Sequence, residues 1–188
     1  MKRPLLAAAV LLLSMPFEGA AQDDGLGRVR AAYYAAVAEE AAIARGLAEI
    51  ESLRASGAHR PGGDRDALLA AYRGALVTLR AKHGSWPPAR LRDIRGGLAV
   101  LDSVVAAHPH HAEVRYLRLM SCYYLPGILG RGGSVREDFA ALARLLPAAR
   151  DRYPPELYAA VVTFVLENGR PGEAERARLE AALGAGDG

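Results

Sequence analysis

Histidine is the residue type whose spacing in this chain comes nearest to suggesting chemistry. His108, His110 and His111 fall within four residues, as H-P-H-H, while His59 and His83 stand in other predicted loops. The chemistry in question would be metal binding. A zinc site needs three or four ligands converging tetrahedrally, usually from well-spaced Cys, His or carboxylate residues. Consecutive histidines in a corner aim their rings in different directions, so they read as solvated turn residues. The sequence therefore assigns no metal ligand and no cofactor. A small metal-binding or enzyme-accessory protein using these loop histidines is the alternative function they keep open.

Paired carboxylates are the next source of chemistry. Glu39 with Glu40, Asp64 with Asp66, and Glu137 with Asp138 all fall at predicted helix starts or on polar faces. A negative charge beside the amide end of a helix is favourable by about 0.3 to 1 kcal/mol. No apolar surroundings separate the acidities within a pair, as acid and base catalysis requires. The chain has no H-E-x-x-H or G-x-S-x-G motif, and the glycines from Gly127 to Gly133 follow no predicted strand, which argues against a phosphate-binding loop. The expectation is a protein with no catalytic residues. The single cysteine, Cys122, lies among apolar neighbours and reads as a small buried hydrophobe.

The elements that would position these residues are all helical. Leu91, Ile94, Leu98, Leu101 and Val105 follow a 3-4-3-4 spacing that makes one stripe of a helix and excludes a strand. His108 and Pro109 end that helix. A second stripe, Val114, Leu117, Ser121 and Tyr124, follows after about four residues, so the two helices must lie antiparallel. From Leu26 to Ala55 the apolar phase drifts little. That predicts one long helix, with a pair bending near Glu40 as the alternative. Asp64 is expected to cap a helix carrying Leu68, Tyr72, Leu76 and Leu79. Pro87 and Pro88 open the helix of Leu91, with Trp86 expected to staple the corner against a neighbour. Ser134 and Glu137 form a predicted capping box for the helix of Phe139, Leu142 and Leu146. Pro154 and Pro155 start a further helix ending at Gly169, and the last runs from about Gly172 to Leu183. Leu76, Leu98, Leu101 and Leu117 are the predicted centre of the core.

Within H-P-H-H-A-E-V-R-Y-L, Pro109, Ala112 and Tyr116 resemble the junction of a tetratricopeptide repeat, in which one helix closes on D-P-x-N-A-E and the next opens with an aromatic. Tyr158, Gly169, Ala174 and Ala181 resemble that repeat's aromatic, glycine and alanine positions near the C-terminus. Val162 stands where the glycine of the first helix is usual, and no clean 34-residue period runs through the chain. The resemblance implies an all-α fold of about six to eight helices, stacked in antiparallel pairs as a short, irregular, right-handed solenoid. It also implies an adaptor that binds a protein or peptide.

Residues 1–21 read as a secretory signal peptide: Lys2 and Arg3, an apolar run from Leu5 to Leu13, then Gly19-Ala20-Ala21. Cleavage after Ala21 would leave a mature chain beginning at Gln22, periplasmic or secreted, with one domain over residues 22–183 and a disordered tail over 184–188. The apolar run is short of the ~20 residues that a spanning helix needs. The net charge is +3, too small to argue for nucleic acid. All but two of the basic residues are arginine, which fits biased codon usage.

In stacked helix pairs the first helix of each pair lines the concave side. By that rule Arg73, Arg80, Arg115 and Arg118 are the expected partner-binding residues, facing solvent on one side. The planar fork of arginine suits carboxylates, so an acidic peptide or C-terminus is the expected partner.

Overall fold

Proline, glycine and a few charged side chains decide where each helix of this chain starts and stops. The computed structural model describes residues 25–57 and 61–184, so the predicted signal peptide, His59 and the residues after Gly184 lie outside the described residues. Eight α-helices are present among the described residues, with no strand: α1 (Gly25–Ala35), α2 (Glu40–Ala55), α3 (Asp64–His83), α4 (Pro87–Ala107), α5 (Ala112–Tyr123), α6 (Gly132–Leu145), α7 (Pro155–Asn168) and α8 (Glu173–Gly184). Short 3-10 turns at Gly127–Leu129, Leu146–Ala148 and Arg150–Arg152 fill the longer connections. None of the described helices is long and apolar enough to cross a membrane.

The long helix expected over residues 26–55 is two. Glu39 is extended, at φ −115° and ψ 112°, and α1 and α2 fold back on each other across it. The exposed turn carbonyls are taken by the end of α3: Lys82 Nζ donates to Val37 O, and His83 Nε2 donates to Ala36 O at 2.8 Å. Donors in the last turn of one helix thereby close the break in another. Tight packing also needs the break. A Cβ on Gly46 would lie 2.8 Å from Leu76 Cδ1 and 3.2 Å from Ala32 Cβ, a contact that exists only if α1 lies alongside α2.

Each helix packs on the next, and α1 on α3, α3 on α5 and α6 on α8 as well. Helices α3 and α4 approach closely, and a Cβ on Gly97 would come within 2.4 Å of Gly74 O. Only glycine lets two helix backbones approach so closely.

Two apolar cores result. Val29, Ile50, Tyr72, Leu76, Leu101, Val114 and Leu117 belong to the first, and Leu119, Phe139, Leu142, Val161 and Val165 to the second. Leu76, Leu98, Leu101 and Leu117 are buried together in the first core, as their spacing predicted. Phe139 and Phe164 stack at 5.9 Å in the second, with Tyr123 edge-on to both.

Helix α5 stands between the cores and gives Val114, Leu117 and Cys122 to one, and Ala112, Tyr116 and Leu119 to the other. Nine of its 12 residues are buried. A helix enclosed in this way buries its polar residues too, and those must be paired.

Three local expectations are corrected. Asp64 is the first residue of α3, and Gly63 occupies the cap position. Helix α6 starts at Gly132 without a side-chain cap. Glu137 instead reaches Arg115 and Arg118, because two guanidinium groups hold a carboxylate more strongly than one backbone amide does. Trp86 is exposed at the start of α4 and staples nothing.

Of the positions that resemble the repeat family, Ala112, Tyr116 and Tyr158 are buried. Gly169 has no room for a side chain, since a Cβ would meet Phe139 Cδ1 at 2.7 Å. Ala174 and Ala181 are exposed on α8.

Candidate functional site

The buried polar residues of α5 build two charged clusters. In the first, Asp138 of α6 is fully buried and accepts from Arg118 Nη2 at 2.7 Å, Arg118 Nε at 2.8 Å and Arg115 Nη1 at 2.9 Å. Glu137 accepts from the same two arginines at 2.9 and 3.0 Å. Arg131 Nη2 donates to Asp102 of α4 at 2.6 Å, and Arg118 Nη1 approaches the same carboxylate at 3.4 Å. Three arginines and three carboxylates thus join α4, α5 and α6 with no net charge. The Arg115 guanidinium draws Glu137 below the usual carboxylate range. Burial pushes Asp138 up against the pull of Arg118 and Arg115, but with three charge-assisted bonds the geometry holds its ionised form.

In the second cluster Glu113, the second residue of α5, is gripped by Arg30 of α1 through paired bonds of 2.8 Å and by the Tyr72 hydroxyl of α3 at 2.6 Å. Burial keeps Tyr72 protonated as the donor. A carboxylate held by three bonds in this way ties α1, α3 and α5 together.

The arginines expected to face a partner are divided by these clusters. Arg115 and Arg118 are 8% and 6% exposed and committed to Asp138, so the solvent-facing position predicted for them is wrong. Helix α5 is covered on both sides, which its one apolar stripe did not reveal. Arg73 and Arg80 are exposed on α3, Arg73 with Glu51 at 4.0 Å. Glu113 and Arg30 escaped the reading of the sequence, and Asp138 was read there only as one of a pair of carboxylates at a helix start or on a polar face. Their signal was the mixture of apolar residues and charges all round a 12-residue helix.

The histidines separate as well. His108 Nδ1 lies 3.7 Å from Asp64, His83 holds the α1–α2 turn, and His111 caps α5 by accepting from Val114 N at its Nδ1, at 3.4 Å. Among the described residues no three His, Cys, Asp or Glu side chains are grouped so that they could hold a metal ion. Cys122 is buried in the first core as expected. Burial pushes its thiol up, away from the thiolate, against the pull of Arg131 Nε at 3.4 Å from the sulfur.

The cap at His111 has a pH consequence. Burial lowers its pKa from 6.5, and Nδ1 accepts a bond only when it is unprotonated. A group with a depressed folded pKa gives stability that is fully present above its unfolded value and lost as the pH falls through the folded one. The protein should therefore lose stability as the pH falls below about 6.5. His111→Asn, which caps without titrating, should flatten that part of the curve; urea titrations at pH 7.5 and 5 read the difference.

Beside this cap a cavity of about 190 Å³ opens between the start of α5 and the 3-10 turns before α7, with His110, His111, Leu145, Ala149, Arg152 and Tyr153 in its wall. At the opposite end of α4 the structure is open in another way. That helix has 21 residues and α5 only 12, so the amino half of α4 overhangs its neighbour by about 13 Å at 1.5 Å per residue. Leu91 and Ile94, the first two members of its apolar stripe, are only half-buried there. Trp86 at the start of α4 is 67% exposed, and Tyr124 and Ile128 in the α5–α6 connection are 56% and 93% exposed. Arg90, Arg92 and Arg95 are exposed on the same overhang.

Comparison with models of protein families, with curated proteins and with solved structures gave no match to this chain.

Proposed function

We propose that this chain is an exported, non-enzymatic adaptor of the cell envelope, a short irregular tetratricopeptide-like stack that binds a protein segment on the α4 overhang. The observation that carries the reading is the exposure of three large apolar residues, Trp86 at the start of α4 and Tyr124 and Ile128 in the connection that follows the shorter α5. Scattered exposed apolar residues are ordinary, but large ones bordering a partly covered stripe mark binding surfaces, where aromatic anchors dominate the energetics. The occupant is an acidic amphipathic segment. Its apolar face would cover Leu91 and Ile94, and its carboxylates would meet Arg90, Arg92 and Arg95 of α4 and Arg80 of α3. The acidic partner suggested by the sequence is kept as part of this proposal, with Arg80 retained and Arg90, Arg92 and Arg95 taking the place of Arg73, Arg115 and Arg118. The packing of helices on next-but-one neighbours and the resemblance at Pro109, Ala112 and Tyr116 support the stack. The apolar run and small-residue end before Gln22 support export.

Ile128→Asp tests the reading. So exposed a side chain contributes little to folding, so the circular dichroism spectrum and Tm should stay unchanged. A photo-crosslinker placed at Tyr124 should give discrete adducts in envelope extract that disappear in the Ile128→Asp background, and one placed at Ala174 should give none of them. Identical adducts from both positions, or adducts indifferent to Ile128→Asp, would overturn the proposal.

A further inference from the structure

The middle of helix α7 meets solvent without a charge. No residue from Leu157 to Leu166 is charged, and Tyr158, Val161, Val162 and Val165 fill the buried side of the helix. On the other side Ala159 and Thr163 are exposed, bordered by half-buried Ala160 and Phe164 on one flank and Leu166 on the other. Helix α8, by contrast, meets solvent through Glu173, Arg176, Arg178 and Glu180. A helix that is apolar all round belongs in an interior, so the open side of α7 calls for a cover.

Charge is placed at the two ends of this face. Glu156 lies in the first turn of α7 and Arg170 just beyond its last; both are exposed, and neither side chain has an ion-pair or hydrogen-bond partner among the described residues. Each is seven residues along the chain from Thr163, about two turns of helix. Arg170 also stands at φ 50°, the one non-glycine residue with positive φ among the described residues. After a helix C-cap that conformation normally belongs to glycine or asparagine, which carry no charge. A strained backbone kept at an unpartnered arginine points to a role for its side chain.

We infer that a second copy of this chain covers the face, the two α7 helices lying antiparallel and crossing at Thr163 on a two-fold axis. The pairing is self-complementary, as a two-fold interface must be. Glu156 of each copy meets Arg170 of the partner subunit, and the small side chains of Ala159 and Ala160 let the two backbones approach. A parallel pairing would set Glu156 on Glu156 and Arg170 on Arg170, so charge selects the antiparallel one. Glu167 then lies over Ala159 of the partner subunit, away from its own symmetry mate. The inference rests on no part of the adaptor reading.

Sedimentation of the purified protein over a range of concentrations should show a monomer–dimer equilibrium. Glu156→Arg or Arg170→Glu alone should weaken the dimer about tenfold, because like charges then meet at both ends. The double exchange of Glu156→Arg with Arg170→Glu should restore it. Arg170→Gly should weaken the dimer while the Tm of the dilute monomer stays the same or rises, since the change relieves the backbone and removes no bond within the chain. Thr163→Cys should give disulfide-linked dimers under mild oxidation, and Ala41→Cys on α2 should not. A monomer at every concentration, with or without another protein on this face, a dimer indifferent to both single charge reversals, or a double exchange that fails to restore it would each overturn the inference.

Discussion

Asp138→Ala should lower the stability of the folded chain by about 3 to 5 kcal/mol, the cost of breaking a buried ion pair on one side only. The carboxylate is fully buried and receives three bonds from Arg115 and Arg118, whose side chains are almost as deeply enclosed. Without Asp138 two guanidinium groups stay in the interior with only Glu137 and the more distant Asp102 to answer them. Water reaches them poorly, because both cores of the molecule lie against α5. Glu137→Gln provides the contrast. Its side chain is more than half exposed, so its part in the same network should be worth less than about 1 kcal/mol. Urea denaturation of the two variants at pH 7 measures the difference. Equal losses would mean that the network is wet and that α5 is less enclosed than its burial indicates.

Leu101→Ala should cost about 2 to 5 kcal/mol, through lost apolar burial and the cavity left behind. Leu101 is fully buried beside the α3–α4 crossing, where a Cβ on Gly74 would lie 3.1 Å from its Cγ. Because Gly74 and Gly97 already bring the two backbones together, the helices have no closer approach by which to fill the space. Leu91→Ala removes the same atoms from the same stripe on the overhang, where the side chain is only half-buried, and should cost much less. Chemical denaturation of the pair separates a core leucine from one that waits for a partner. A loss below about 0.5 kcal/mol for Leu101→Ala would place its stripe in water.

The helices themselves were legible along the chain. A 3-4-3-4 apolar spacing with Pro87 and Pro88 in front and His108-Pro109 behind leaves the α4 segment one regular conformation, and the same local rules located α3, α5, α7 and α8. Burial of Leu76, Leu98, Leu101 and Leu117 followed as well, since a stripe on each of two helices joined by a four-residue corner can only face inward. Much of the candidate site was not legible. Periodicity names the face of a helix that must be covered, but it is silent on whether the opposite face will also be covered.

Tertiary structure decided that for α5. The second core closes over its far side and turns Arg115 and Arg118 from expected surface charges into the partners of Asp138. It also drew Glu137 away from the amide of a capping box, and it broke the 26–55 segment where Lys82 and His83 of a distant helix satisfy the turn. The overhang with exposed Trp86 comes from the unequal lengths of α4 and α5, a relation between elements that neither contains alone. The sequence by itself determined the conformations that depend on hydrogen bonds within one turn of helix. Only the tertiary structure decided which charges left water, because the cost of burying a charge is set by the atoms that surround it, and those come from residues far away in the chain.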